Sequence, residues 1–203
     1  QVAVEVWEVL QAFASFGFCK AHAAAFALPT YQSAWLKTHY PAAFLTGVLT
    51  HEPGMYPKRL LLDEARRLDL SIAPLDINLS DRTYRVEGDS QEKIRLSLTD
   101  INGISESEVD AIIAHRPYID LADFVHRSGV SRPTCEALLM VGAFDSISAP
   151  DLNHRDLLLH LNDVYKWSRS STKALSTVSG SQLTFGFTPP LSKTGLPDLK
   201  AHE

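Results

Sequence analysis

The sequence predicts a mainly α-helical chain that carries one small β-hairpin and ends in a flexible C-terminal linker. Three observations lead there. From Val2 to about Pro53 the apolar residues fall at helical spacing, broken at Pro29, Pro41 and Pro53. Tyr84 to Glu87 and Lys93 to Leu98 alternate with period two around Gly88-Asp89-Ser90, the pattern of two short strands and a turn. From about Ser168 the chain is rich in serine, threonine, glycine and proline and has little to bury. Residues 1–56, 57–167 and 168–203 are therefore read as three segments.

In the first segment, Gly17 lets the chain turn with φ of either sign, and the alanine-rich run from Ala21 to Ala27 has high helix propensity. A helix is expected to begin near Cys19 or Lys20. Its first amides lack intrahelical partners, and a helix N-terminus offers such amides and a positive dipole end to a phosphate. Lys20 and His22 add a cation and an imidazole within that first turn. In mid-helix the two would stand about 200° apart, so joint action places them at the loop-to-helix corner. An alanine-rich packing helix with a solvated lysine is the competing reading. Further on, Pro29 is expected to end or kink this helix, Thr30 to cap one running through Lys37, and Pro41 to open another over 42–50.

The second segment begins with helical spacing from Arg59 to Leu68, followed by an extended stretch from Ser71 to Ile77. The hairpin comes next. Its cations Arg82, Arg85, Lys93 and Arg95 either line one face or dress a solvated strand edge. Leu98 to Ile113 then resembles a helix-hairpin-helix element, in which a hydrophobic-x-Gly-hydrophobic-Gly turn presents backbone amides to DNA phosphates without reading sequence. Gly103 and Ile104 match that turn, and Ser105 replaces its second glycine. Glu106 and Glu108 bring negative charge close to where a phosphate would sit, although acidic residues also serve simply to start helices. Beyond Tyr118 to Val125, Ser131 is placed to cap a helix that turns Leu138, Leu139 and Val141 inward and ends at Gly142. Cys135 and Met140 read as core residues.

The order of motifs adds a resemblance. Phe16-Gly17-Phe18-Cys19-Lys20-Ala21-His22-Ala23-Ala24-Ala25-Phe26, then Tyr31-Gln32 and Trp35-Leu36-Lys37-Thr38-His39-Tyr40-Pro41, resembles the fingers region of bacterial C-family DNA polymerases, the replicase alpha subunits. Cys19 before the lysine and the run from His51 to Arg59 look more like the error-prone branch. The likeness covers about residues 1–160. It implies distal fingers followed by a tandem helix-hairpin-helix domain, whose second half is the stretch from Tyr118 to Val125 leading to Ser131 to Asp145. It further implies template-primer DNA as partner, Lys20 and His22 as contacts of the incoming dNTP, and Mg2+ as the cofactor of the intact enzyme. Gln182, Leu183, Phe185 and Phe187 are similar to the peptides that bacterial polymerases insert into the sliding clamp; an ordinary hydrophobic stop before a further domain is the alternative. Accessory mutagenesis proteins are further expected partners.

Nucleotidyl transfer by two metals needs paired carboxylates. The family's palm pattern of two aspartates flanking one residue after a proline is absent here, since Pro150-Asp151-Leu152-Asn153 has only one. The segment alone is therefore expected not to polymerise. With no initial methionine and an amphipathic pattern already under way at Val2, it reads as a piece of a longer protein. Nineteen basic against twenty-four acidic residues, a net charge of −5, argue against a generic nucleic-acid coat while allowing local basic patches. Two distant cysteines suggest neither a disulfide scaffold nor a structural zinc site. No apolar run reaches spanning length, so a cytoplasmic, membrane-free setting is expected. The rival from another class is a non-catalytic helix-hairpin-helix DNA-binding or scaffold module.

Overall fold

Alanine-rich sequence and prolines at the right places explain the first helices of the computed structural model. The structure describes residues 2–14, 20–52, 54–88, 92–177 and 189–199, with the backbone alone for 12–14 and 169–177. Helix α1 spans Val2–Ala14, α2 Lys20–His39 and α3 Pro41–His51. Pro29 neither ends nor splits α2, contrary to expectation, and Thr30 lies inside the helix and caps nothing. The carbonyl of Ala25 loses the N–H that Pro29 lacks, but Ala25 is exposed and solvent can satisfy that oxygen. Pro41 does open α3, where its missing N–H costs no helical bond.

Helix α4 (Lys58–Arg67) and three short strands follow: β1 (Ser71–Ala73), β2 (Arg85–Glu87) and β3 (Lys93–Arg95). Strands β2 and β3 form the expected antiparallel hairpin, with Val86 opposite Ile94. The extended stretch from Ser71 joins it as a parallel partner of β3, giving a three-stranded sheet in the order β1-β3-β2. One apolar cluster unites Leu45 and Leu49 of α3, Ala65 of α4, Tyr84 and Ile94. Packing thus continues across residue 56, and Lys37 of α2 ties the helices further by donating to Glu64 of α4 at 2.7 Å.

A 3-10 turn (Leu98–Asp100) leads to α5 (Glu106–Ala114), α6 (Leu121–Ser128), α7 (Arg132–Met140) and α8 (His154–Thr177). Their apolar faces close a second cluster containing Val109, Ile112, Phe124, Leu138, Phe144 and Leu161. Phe124 lies at its centre, edge-on to Tyr118 and Phe144 with ring centroids 4.9 Å away in each case. Asn78 fastens the loop after β1 to this cluster: its amide donates to the Tyr118 carbonyl and accepts from the Tyr118 N–H, both at 2.8 Å. Cys135 is buried as expected, whereas Met140 and Val141 sit at the exposed end of α7 and not in the core.

The chain departs from the expected linker at 168 as well. Residues 168–177 continue α8. Residues 189–199 form no helix or strand, yet they dock on the start of α8, where the Thr194 N–H and hydroxyl donate to Asp156 at 3.0 and 2.5 Å and Asn153 donates to the Leu196 carbonyl at 2.8 Å.

Candidate nucleic-acid interface

Two turns of the same make stand at the centre of the helical unit. In the first, Gly103 takes φ 81°, Ile104 is half-buried, and Ser105 caps α5 from an extended conformation. In the second, Gly129 takes φ 65° at the end of α6, Val130 is buried, and Ser131 is the N-cap position of α7. Glycine is required at both positions because the left-handed region penalises a Cβ. The hydrophobic residue anchors each turn inward, and the serine starts a helix whose first amides have no intrahelical acceptor. The element before the first turn is only the 3-10 turn, in place of a full helix.

Glu108 connects the two turns. Its Oε2 accepts from the Ser105 N–H and hydroxyl, both at 3.0 Å, while Oε1 accepts from the Ser131 N–H at 2.9 Å and the Thr134 hydroxyl at 3.0 Å. Burial works against the charged form, but the donors from Ser105 and Ser131 outweigh it and hold the carboxyl at about 2. Its charge is therefore spent inside the unit, and it does not face outward against a phosphate. Glu106 remains exposed, 3.8 Å from Arg82. Of the three turn residues expected to meet phosphate, Ser105 has both its N–H and hydroxyl engaged by Glu108, and Ile104 donates to the Ile101 carbonyl at 3.2 Å. Gly103 stays exposed, and a Cβ built on it would meet no atom within 4 Å.

The base of the first turn is an ion-paired cluster. Asp100, which closes the 3-10 turn, accepts from Lys58 of α4 at 2.6 Å and from the Tyr84 hydroxyl. Lys58 also meets Glu52 at 2.7 Å. Burial raises the Tyr84 hydroxyl well above its ordinary value, and the bond to Asp100 adds to the shift. The hairpin cations do not form an open basic face: Arg82 pairs with Asp110, Arg85 lies 3.6 Å from Asp81, and buried Arg95 grips Glu87 at 2.6 and 3.0 Å. Lys93 is exposed.

Lys20 and His22 are the first and third residues of α2, both exposed, with the His22 ring 4.6 Å from that of Phe26. The structure brings neither of them to the hairpin turns. The Gly17 turn and Cys19 lie outside the described residues, as do Gln182, Leu183, Phe185 and Phe187.

A family model for the helix-hairpin-helix motif matches residues 69–156, the stretch that holds both turns. An error-prone DNA polymerase of Bdellovibrio bacteriovorus is 36% identical over 170 residues, taking in 81% of this chain and 16% of the relative. One from Corynebacterium diphtheriae is 40% identical over 143 residues, covering 70% and 14%. The chain is homologous to bacterial C-family DNA polymerases. DNA polymerase III subunit alpha of Xylella fastidiosa matches over a longer stretch, 35% identical over 194 residues, 92% of this chain and again 16% of the relative. The chain thus spans about one sixth of the length of these polymerases. Among the described residues no three His, Cys, Asp or Glu side chains gather as ligands of a metal, so they do not fit the magnesium that the polymerase resemblance implies. Among the same residues no helix is long and apolar enough to cross a membrane.

Sequence reasoning passed over Glu108 as a connector. The signal was present: Ser105 followed three residues later by Glu is a capping box, and the structure contains it. The Gly129-Val130-Ser131 repeat of Gly103-Ile104-Ser105 was the second sign.

Proposed function

We propose that this segment serves a DNA-directed DNA polymerase of the error-prone kind, working in DNA repair or damage-induced synthesis, and that its two turns hold template-primer DNA by the phosphate backbone. The observation that carries this reading is the pair of Gly-hydrophobic-Ser turns, each with its glycine at positive φ and each opening a helix. Such a pair contacts a repeating backbone at two points and reads no bases. Names of the related proteins support polymerisation as the activity of the whole, and the motifs at Cys19 and 51–59 favour the error-prone branch.

In this reading Lys20 neutralises phosphate charge on the incoming dNTP and His22 donates to it or packs near its sugar, while carboxylates outside this chain carry the magnesium of the intact enzyme. Gln182 to Phe187 is a clamp-binding peptide, accessory mutagenesis proteins are further partners, and the setting is cytoplasmic.

Two substitutions in the full-length polymerase test the two halves separately. Gly103→Val strains the backbone at a position where an added Cβ meets no neighbour, and is expected to weaken duplex DNA binding and flatten its salt dependence by about one phosphate contact. Lys20→Ala is expected to raise the apparent KM for dNTP. Unchanged DNA affinity and salt slope in the first variant remove the hairpin reading, and an unchanged KM in the second returns α2 to a packing helix.

A further inference from the structure

We propose that Glu108 is a positioning residue that sets the two hairpin turns in one register, so that both meet the same duplex at once. This rests on the reading of the turns as DNA-holding elements. Four donors converge on one carboxylate, and they come from both sides: the Ser105 N–H and hydroxyl from the first turn, the Ser131 N–H and Thr134 hydroxyl from the second, all at 2.9 to 3.0 Å.

The two turns are twenty-six residues apart in sequence, counted from Ser105 to Ser131, and helices α5 and α6 with the loop between them intervene. Apolar packing alone fixes such a separation loosely, because α5 packs on α6 and α7 on α8, and α5 and α7 share no broad interface of their own. A carboxylate accepting along two directions from two helix starts does not slide, since each charge-assisted bond has its own distance and angle. The second turn is held from its other side too: Tyr165 of α8 donates to the Val130 carbonyl at 3.1 Å. Phosphate spacing along a duplex is fixed, so two turns that bind together need a fixed spacing of their own. The gain from holding them is that of preorganisation: the second contact follows the first without a further ordering cost.

The arrangement also explains the loss of the second glycine. A serine at that place gives Glu108 an extra donor, its hydroxyl, and ties the first turn to the bridge more firmly than a glycine amide alone can. Thr134 does the corresponding work in the second turn, and being only 3% exposed it has little solvent competing for its hydroxyl.

The test compares Glu108→Ala, Glu108→Gln and Thr134→Val in the full-length polymerase, read by duplex DNA Kd across a salt series and by thermal unfolding, with Gly103→Val alongside. Glu108→Ala is expected to weaken binding about tenfold and to lower the salt slope by about one phosphate contact. Glu108→Gln keeps one acceptor oxygen but turns an NH2 toward the two donors of one turn, so it is expected to weaken binding as well. Thr134→Val conserves shape, removes one donor from the second turn only, and is expected to give a smaller loss in the same direction; it carries the test if Glu108→Ala does not fold. A lowered melting temperature with Kd and salt slope unmoved in the Glu108 and Thr134 variants, while Gly103→Val does weaken binding, overturns the bridge and leaves the hairpin reading standing. If Gly103→Val has no effect either, the hairpin reading itself has failed and the bridge falls with it.

Discussion

Helix α2 and the unit from α5 to α8 are both helical, yet opposite forces make them so. None of the twenty residues of α2 is buried, and Phe26, Leu28 and Tyr31 are each more than half exposed. The later helices are short, eight or nine residues apart from α8, and have too few turns to stand alone; they persist because Phe124, Leu138, Leu139 and Leu161 leave water together. An exposed alanine-rich helix can carry a ligand-facing lysine at its start without risk to any core. A pair of turns that must keep a fixed distance needs the core beneath it.

The comparison breaks most visibly at Phe124. Phe124→Ala removes a fully buried ring that touches two other rings, and a loss of about 3–5 kcal/mol is expected by urea unfolding. A loss below about 1 kcal/mol would mean that packing does not govern this unit. Next comes Asn78→Ala, which strips both bonds from the Tyr118 backbone and is expected to cost about 1–3 kcal/mol, with faster exchange of the Tyr118 amide as the local check.

Acid sharpens the contrast further. The Glu108 carboxyl is held down at about 2 in the folded chain against an ordinary 4.5, so the stability it contributes is present above pH 4.5 and is lost as pH falls toward 2. Allowing for its partial exposure, about 1–2 kcal/mol should disappear across that window, and Glu108→Gln should flatten this part of the pH–stability curve. An identical acid limb in wild type and variant excludes Glu108 as its source. The smallest effect belongs to α2: Phe26→Ala is expected to change stability by less than about 0.5 kcal/mol, and a loss above about 2 would show that its exposed face is covered after all.

Much of the fold was legible because it is written in local chemistry. Pro41 opens α3, the period-two stretches pair as β2 and β3, and Gly103 turns the chain ahead of a capping serine. Local rules misled where solvent relaxes them, as at Pro29, whose orphaned carbonyl partner costs little on an exposed helix. They were silent where the partner is remote: the parallel pairing of β1 with β3, and the capture of Arg82 by Asp110 and of Arg95 by Glu87. Of the candidate site, the turn residues Gly103, Ile104 and Ser105 were visible, while the engagement of Ser105 by Glu108 was not.

By itself the sequence determined where α3 and α5 start, that Gly103 bends the chain, and the kinship with C-family polymerases, since caps, glycines and motif order act over a few residues. Only the tertiary structure decided that Glu108, which brought unwanted charge when seen beside Gly103, spends that charge on a second turn far along the chain. A carboxylate's effect depends on which donors surround it, and those of Ser131 and Thr134 arrive only when the fold brings the start of α7 beside Glu108.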